Sequence, residues 1–137
     1  MKRRSSVRLN WRLWGVVLFI VLLIPPESAQ SQNPTQRLPF DVYRGRQPVL
    51  VVFAQTLQDD RIFEVHLAVM EQWEVLGRSG LEVIDILPGN TSLSAVARRL
   101  DIPVDQFAVV LLNREGDVIF RSNESNVVSQ IIEALEQ

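Results

Sequence analysis

Cysteine is missing from all 137 residues, and that absence removes disulfides, thiolate metal sites, a sulfur-linked lipid anchor and thiol redox chemistry together. Histidine is almost as scarce. His66 stands alone, so a histidine-rich metal site cannot form and only carboxylate binding of hard cations stays open. Lysine occurs once, at position 2. Beyond residue 31 nine arginines face fifteen acidic residues, a balance of −6. That balance argues against nucleic-acid or anionic-lipid binding, which depends on neutralising phosphates with clustered cations. No internal repeat is visible. Hydrophobic residues at 47% and charged residues at 22% fit an ordinary globular chain and leave disorder without support.

The apolar content begins with a run at residues 13–24, interrupted only by Gly15 and preceded by Lys2, Arg3, Arg4, Arg8 and Arg12. A basic segment, a short apolar segment and then Pro25-Pro26 is the order of a secretory signal peptide. The run is shorter than the roughly 20 residues that a membrane-spanning helix needs. Cleavage after Ser31 is the first expectation and after Ala29 the second, and export follows from either. An uncleaved leader, with Trp11 and Trp14 at an interface, is the alternative, and the only route to a membrane. The residues after Arg3-Arg4 do not support twin-arginine export. The expected organisation is a signal peptide over residues 1–31, a polar, proline-punctuated linker over 32–47, and one domain over 48–137. Phe40, Val42 and Tyr43 are the linker residues able to pack against that domain.

Within the domain, Val49-Leu50-Val51-Val52-Phe53 is apolar on both pleat faces, as a strand covered on both sides should be. Asp59 or Asp60 can cap a helix in which Ile62, His66, Val69, Met70, Trp73 and Leu76 recur at helical spacing up to Gly77 and Gly80. A second strand over residues 81–87 then makes a crossover unit, so the two strands should be parallel. Leu93, Val96, Ala97 and Leu100 mark a short helix capped by Thr91 or Ser92. Residues 107–112 read as a third buried strand, and Asn113-Arg114-Glu115-Gly116 turns it into a hairpin with residues 118–121. Val127, Val128, Ile131, Ile132 and Leu135 form the stripe of a last helix. The fold class is therefore α/β, in the order β-α-β-α-β-β-α, with a mixed four-stranded sheet and helices on both faces.

That order, with Val51-Val52-Phe53-Ala54 running into a polar loop and helix, resembles the thioredoxin-like superfamily. More narrowly, Pro48-Val49-Leu50-Val51-Val52-Phe53-Ala54, Asp60-Arg61, Pro103, the run from Phe107 to Leu112 and Gly116 resemble the domain-of-unknown-function family numbered 4174. That family occurs in bacterial exported proteins and in animal extracellular sushi-repeat proteins, and is described as peroxiredoxin-like. The resemblance spans residues 44–137. Laid against a thioredoxin loop, the reactive cysteines fall at Leu57 and Asp60. Laid against a peroxiredoxin loop, Thr56 matches its threonine and Asp59 falls at its cysteine. Neither alignment offers the thiolate that exchange or peroxide reduction needs. Pro103 also lies four residues ahead of Phe107, away from the position of the family's cis-proline.

The candidate ligand site is the loop beyond the carboxyl ends of the parallel strands: Gln55, Thr56, Asp59, Asp60 and Arg61, with Gln106 from the opposing connection. Residues 89–92 flank it. Arg61 is its most informative member, since a cation in a first helical turn opposes the macrodipole and needs a partner. A bound anion, Asp59, Asp60 or a neighbouring carbonyl could serve, and the structural ion pair is the favoured account. Adjacent aspartates at a helix start are far more often a cap and a dipole-matched charge than an acid/base pair. His66 and Trp73 are expected in the core, His66 with one hydrogen-bond partner. Arg44 and Arg46 are expected to be solvated charges, and Arg98-Arg99 matches a helix C-terminus. No cofactor or metal is indicated. The expected function is a non-redox module binding a protein or small ligand outside the cytoplasm. The alternative is a non-thiol enzyme using Thr56, Asp59 and Arg61 at the helix start.

Overall fold

The computed structural model describes residues 37–89 and 92–137. The expected signal peptide, its cleavage points and Thr91 lie outside those residues.

β1 (Val49–Phe53) is buried along its whole length. Its β-branched and aromatic side chains divide by pleat parity, so that Leu50 and Val52 enter one apolar layer while Val49, Val51 and Phe53 enter the other. The chain continues into α1 (Asp60–Glu71) and α2 (Trp73–Arg78), then returns as β2 (Glu82–Ile86) parallel to β1. α3 (Leu93–Leu100) leads to β3 (Ala108–Leu112), which lies antiparallel on the other side of β1. β4 (Val118–Ser122) pairs back on β3, and α4 (Val128–Glu136) ends the chain. The strand order is β2-β1-β3-β4.

α1, α2 and α4 supply Val65, Val69, Leu76, Val128 and Ile131 to one face of the sheet. α3 supplies Val96, Ala97 and Leu100 to the other. The expected α/β class, element order and two-sided helix cover are borne out, and this is the thioredoxin-like arrangement. Among the described residues no polar side chain is buried, so the core is held by apolar burial and close packing alone.

Three expectations are corrected. The first concerns the linker, because from Arg37 onward the supposed tether belongs to the domain. Leu38 and Phe40, both buried, pack with α3 on the sheet face. A short 3-10 helix, Pro39–Tyr43, carries Phe40 there, and Asp41 fixes its start by accepting the Leu38 N–H at 2.8 Å. α3 has only eight residues and is too short to cover its face, so apolar side chains from the preceding segment complete the layer. Tyr43 is half-buried and Val42 exposed.

The second correction is that the single long helix is two, divided at Gln72, whose φ of −107° and ψ of 19° leave helical space. Leu76 stays in phase with Val65 and Val69 across the break at 100° per residue, so the packed face is preserved. The third is that Met70 and Trp73 point outward, at 72% and 55% exposure. Val65, outside the expected stripe, joins the expected Val69 in the core instead.

The remaining turns match their residues. Ser92 caps α3 by accepting the Ala95 N–H at 3.3 Å. In the β3–β4 hairpin Asn113 accepts the Asp117 N–H at 2.8 Å and Gly116 takes a φ of 90°, the left-handed position that glycine occupies without strain. Ile119 is an extra residue on β4, between the Leu111–Phe120 and Leu112–Val118 pairs. The bulge interrupts this edge strand, and such irregularity discourages strand addition.

Candidate functional site

β1 and β2 finish side by side, Phe53 next to Ile86, and β3 begins opposite them at Ala108. The connections over residues 54–59 and 101–107 therefore meet at one end of the sheet, where this fold collects ligands. The Gln55 side-chain amide joins them, donating to the carbonyl of Val104 and to that of Gln106 at 3.3 Å. Gln55 and Gln106 are thus brought together, although Gln106 contributes only its backbone. Thr56 Oγ1 accepts the Gln58 N–H at 3.2 Å and shapes the loop.

At the helix start Asp59 Oδ1 accepts the Arg61 N–H at 3.1 Å, which makes Asp59 the N-cap. The same carboxylate receives the Arg61 side chain twice, Nε at 2.9 Å and Nη2 at 2.7 Å. This forked geometry matches guanidinium to carboxylate. The guanidinium carbon also lies 4.4 Å from the centre of the Phe107 ring, within reach of a cation–π attraction. The cation that opposed the macrodipole therefore has two partners from the chain itself. Asp60 is exposed and stands outside this pair.

Electrostatics follow the geometry. The Arg61 side-chain hydrogen bond holds the Asp59 carboxyl below its ordinary range, against a smaller opposing effect of desolvation. Its partner's proton is held correspondingly tighter. A carboxylate pinned in this way is a poor proton acceptor near neutrality, because general-base catalysis works best when the base's pKa lies near the working pH. All six candidate residues sit on or beside one loop cluster, and within it Asp59 pairs with Arg61 and Gln55 with the Gln106 backbone.

His66 is not in the core. Its side chain is 40% exposed, and Nε2 lies 2.8 and 2.9 Å from the two oxygens of Asp85 on β2. It keeps the expected single partner at the flank of α1 instead of under it. Among the described residues no three His, Asp or Glu side chains gather as metal ligands.

What the periodicity reading missed is a second apolar series in α1. Phe63, Leu67 and Met70 are 70%, 44% and 72% exposed, and their i, i+4, i+7 spacing places them on one outward stripe. Helical geometry puts Asp60, Glu64 and Glu71 along one side of the stripe and His66, with Asp85, along the other. Trp73 follows on α2, its indole within 3.5 Å of where a Cβ on Gly77 would stand.

No protein-family model matches the chain, and no curated protein sequence does. Solved structures of similar shape include a reduced 2-Cys peroxiredoxin of Plasmodium vivax, at a TM-score of 0.48 and 12% identity over 70% of this chain and 79% of that one. A disulphide isomerase from Xylella fastidiosa aligns at a TM-score of 0.45 and 16% identity, covering 66% of this chain and 79% of that one. The mitochondrial 2-Cys peroxiredoxin of Plasmodium falciparum aligns at 0.44 and 8% identity, covering 70% and 77%.

Proposed function

We propose that this domain is a non-redox interaction module that works outside the cytoplasm and docks a cationic amphipathic segment of a partner polypeptide on the outer face of α1. The carrying observation is the exposed stripe of Phe63, Leu67 and Met70, continued by Trp73. Apolar patches rimmed by polar groups mark interaction sites, since leaving such side chains in water forgoes their burial energy. The charge of the rim selects the occupant. Asp60, Glu64 and Glu71 border the stripe on one side and Asp85 stands on the other, which favours a basic partner and disfavours a second copy of this acidic face. A partner helix laid along such a stripe presents apolar anchors at i, i+3, i+4 and i+7.

Work outside the cytoplasm rests on the basic, then apolar, opening of the chain and on the resemblance to family 4174, whose members include exported proteins. The missing cysteine supports a non-redox role. The test uses the protein as isolated from its producing cells and a synthetic amphipathic helix of lysine and leucine as probe. Trp73 is the one tryptophan beyond residue 31, so its fluorescence reports occupancy. Peptide binding should shift its emission to the blue, and Phe63→Ser with Met70→Ser should weaken binding at least ~10-fold while leaving the melting temperature within a few degrees. A face-dependent dimer that excludes the peptide would overturn the reading in favour of a second copy, and peptide binding indifferent to both substitutions would overturn it outright.

A further inference from the structure

Away from the outer face of α1, the turn before β1 and the end of α3 enclose an open groove of about 630 Å³. Its lining is Arg37, Asp41, Val42, Arg44, Arg46 and Arg99. Four of the nine arginines beyond residue 31 therefore converge on one concavity of a domain whose balance there is −6. Such clustering raises the energy of the folded state by mutual repulsion unless something negative sits among the guanidinium groups. Among the described residues Asp41 is the one carboxylate in the lining; one of its oxygens accepts the Leu38 N–H at 2.8 Å, and the other lies 3.7 Å from Arg99. Among the described residues Arg37, Arg44 and Arg46 form no ion pair. Residues 28–36, next along the chain, contain no Asp or Glu.

The groove is also partly organised in advance. Arg44 donates Nε–H to the Glu115 carbonyl at 2.8 Å, and its stem lies 3.4 Å from where a Cβ on Gly116 would stand. That leaves its terminal N–H groups directed by a fixed stem, a lower-entropy arrangement than a loose surface arginine. Gly45, at a φ of 79°, turns the chain so that Arg44 and Arg46 flank one bend.

We propose that this groove binds a compact multivalent oxyanion of phosphate or sulfate type. Arginine forks match the paired oxygens of such groups, and the volume lies in the usual range for small-molecule sites, roughly 300–1,000 Å³. The acidic remainder of the domain selects for compactness, because an extended polyanion or an anionic bilayer would meet repulsion beyond the groove's rim.

The test titrates inorganic tripolyphosphate into the protein isolated from its producing cells at low ionic strength, read by calorimetry, with inorganic sulfate as the second arm. Saturable one-to-one binding of tripolyphosphate is expected, weakening steeply with added salt. Tighter binding of sulfate would place the ligand in the sulfate branch of the same class. Arg46→Gln, which removes no side-chain hydrogen bond among the described residues, should weaken binding at least ~10-fold, and Arg44→Gln likewise. Arg78→Gln, at the far end of α2, should leave it unchanged. Non-saturable binding of both anions, or equal losses in Arg78→Gln and Arg46→Gln, would overturn the proposal, since either means diffuse charge attraction without a site.

Discussion

Asp59 carries two loads through one carboxylate, the cap of α1 and the partner of Arg61, and different substitutions separate them. Asp59→Ala removes both and should cost about 1 kcal/mol for the cap alone, a fall of roughly 4–8 °C in melting temperature for a domain of this size. Asp59→Asn keeps an oxygen for the Arg61 N–H but loses the charge, and should cost less than ~1 kcal/mol, as exposed ion pairs do. The pH dependence has a definite sign. Folding lowers this pKa below the unfolded value of about 3.9, so the ion-pair contribution is fully present above that pH and is lost as pH falls through the folded value. Thermal melts of wild type and Asp59→Asn should therefore differ at pH 7 and converge as the pH falls through the lowered pKa of Asp59. The cap, the pair and the loop were legible as residue types. Which of Asp59, Asp60 or a bound anion answered Arg61 was not, because the answer depends on the ψ of 109° that turns Asp59 back over the first turn.

At the scale of elements, α1 is the instructive case. It is apolar on two faces, Val65 and Val69 on one and Phe63, Leu67 and Met70 on the other, and a period of 3.6 fits either series. Periodicity therefore predicts a helix correctly and leaves its rotation open. The interior accepted the smaller, β-branched face and left the larger one in water, and in this rotation His66 reaches Asp85 on β2 from the flank of the helix. The assignment has a direct check. Val65→Ala, at a position that is in the core only in this rotation, should cost roughly 1–3 kcal/mol, the order of a core truncation, whereas Met70→Ala should stay within ~0.5 kcal/mol. Denaturant melts with comparable m-values in both variants measure this difference, and the reverse order would mean that α1 presents its other face to the sheet. The break at Gln72 had no marker in the sequence, since neither proline nor glycine stands there.

For the molecule as a whole, the dominant fact is a thioredoxin-like sheet that holds no sulfur nucleophile at the loop where that fold does thiol chemistry. Peroxide reduction and disulfide exchange both begin with a thiolate. The purified, metal-stripped protein should accordingly consume no peroxide above the buffer rate and should not speed the reduction of insulin disulfides beyond the rate of the thiol reductant alone. Two apolar layers, one on each side of the sheet, carry the stability that disulfides do not supply. Local pattern determined the order of elements and that the sheet is covered on both sides, because burying a β-branched run requires strands with apolar cover on each face, and the helix and turn signals between them are local. Tertiary structure decided which face of α1 meets water, recruited Leu38 and Phe40 from the supposed linker, and drew Arg37, Arg44, Arg46 and Arg99 around one groove. Those outcomes depend on distances between residues far apart in the chain, and local pattern holds no information about them.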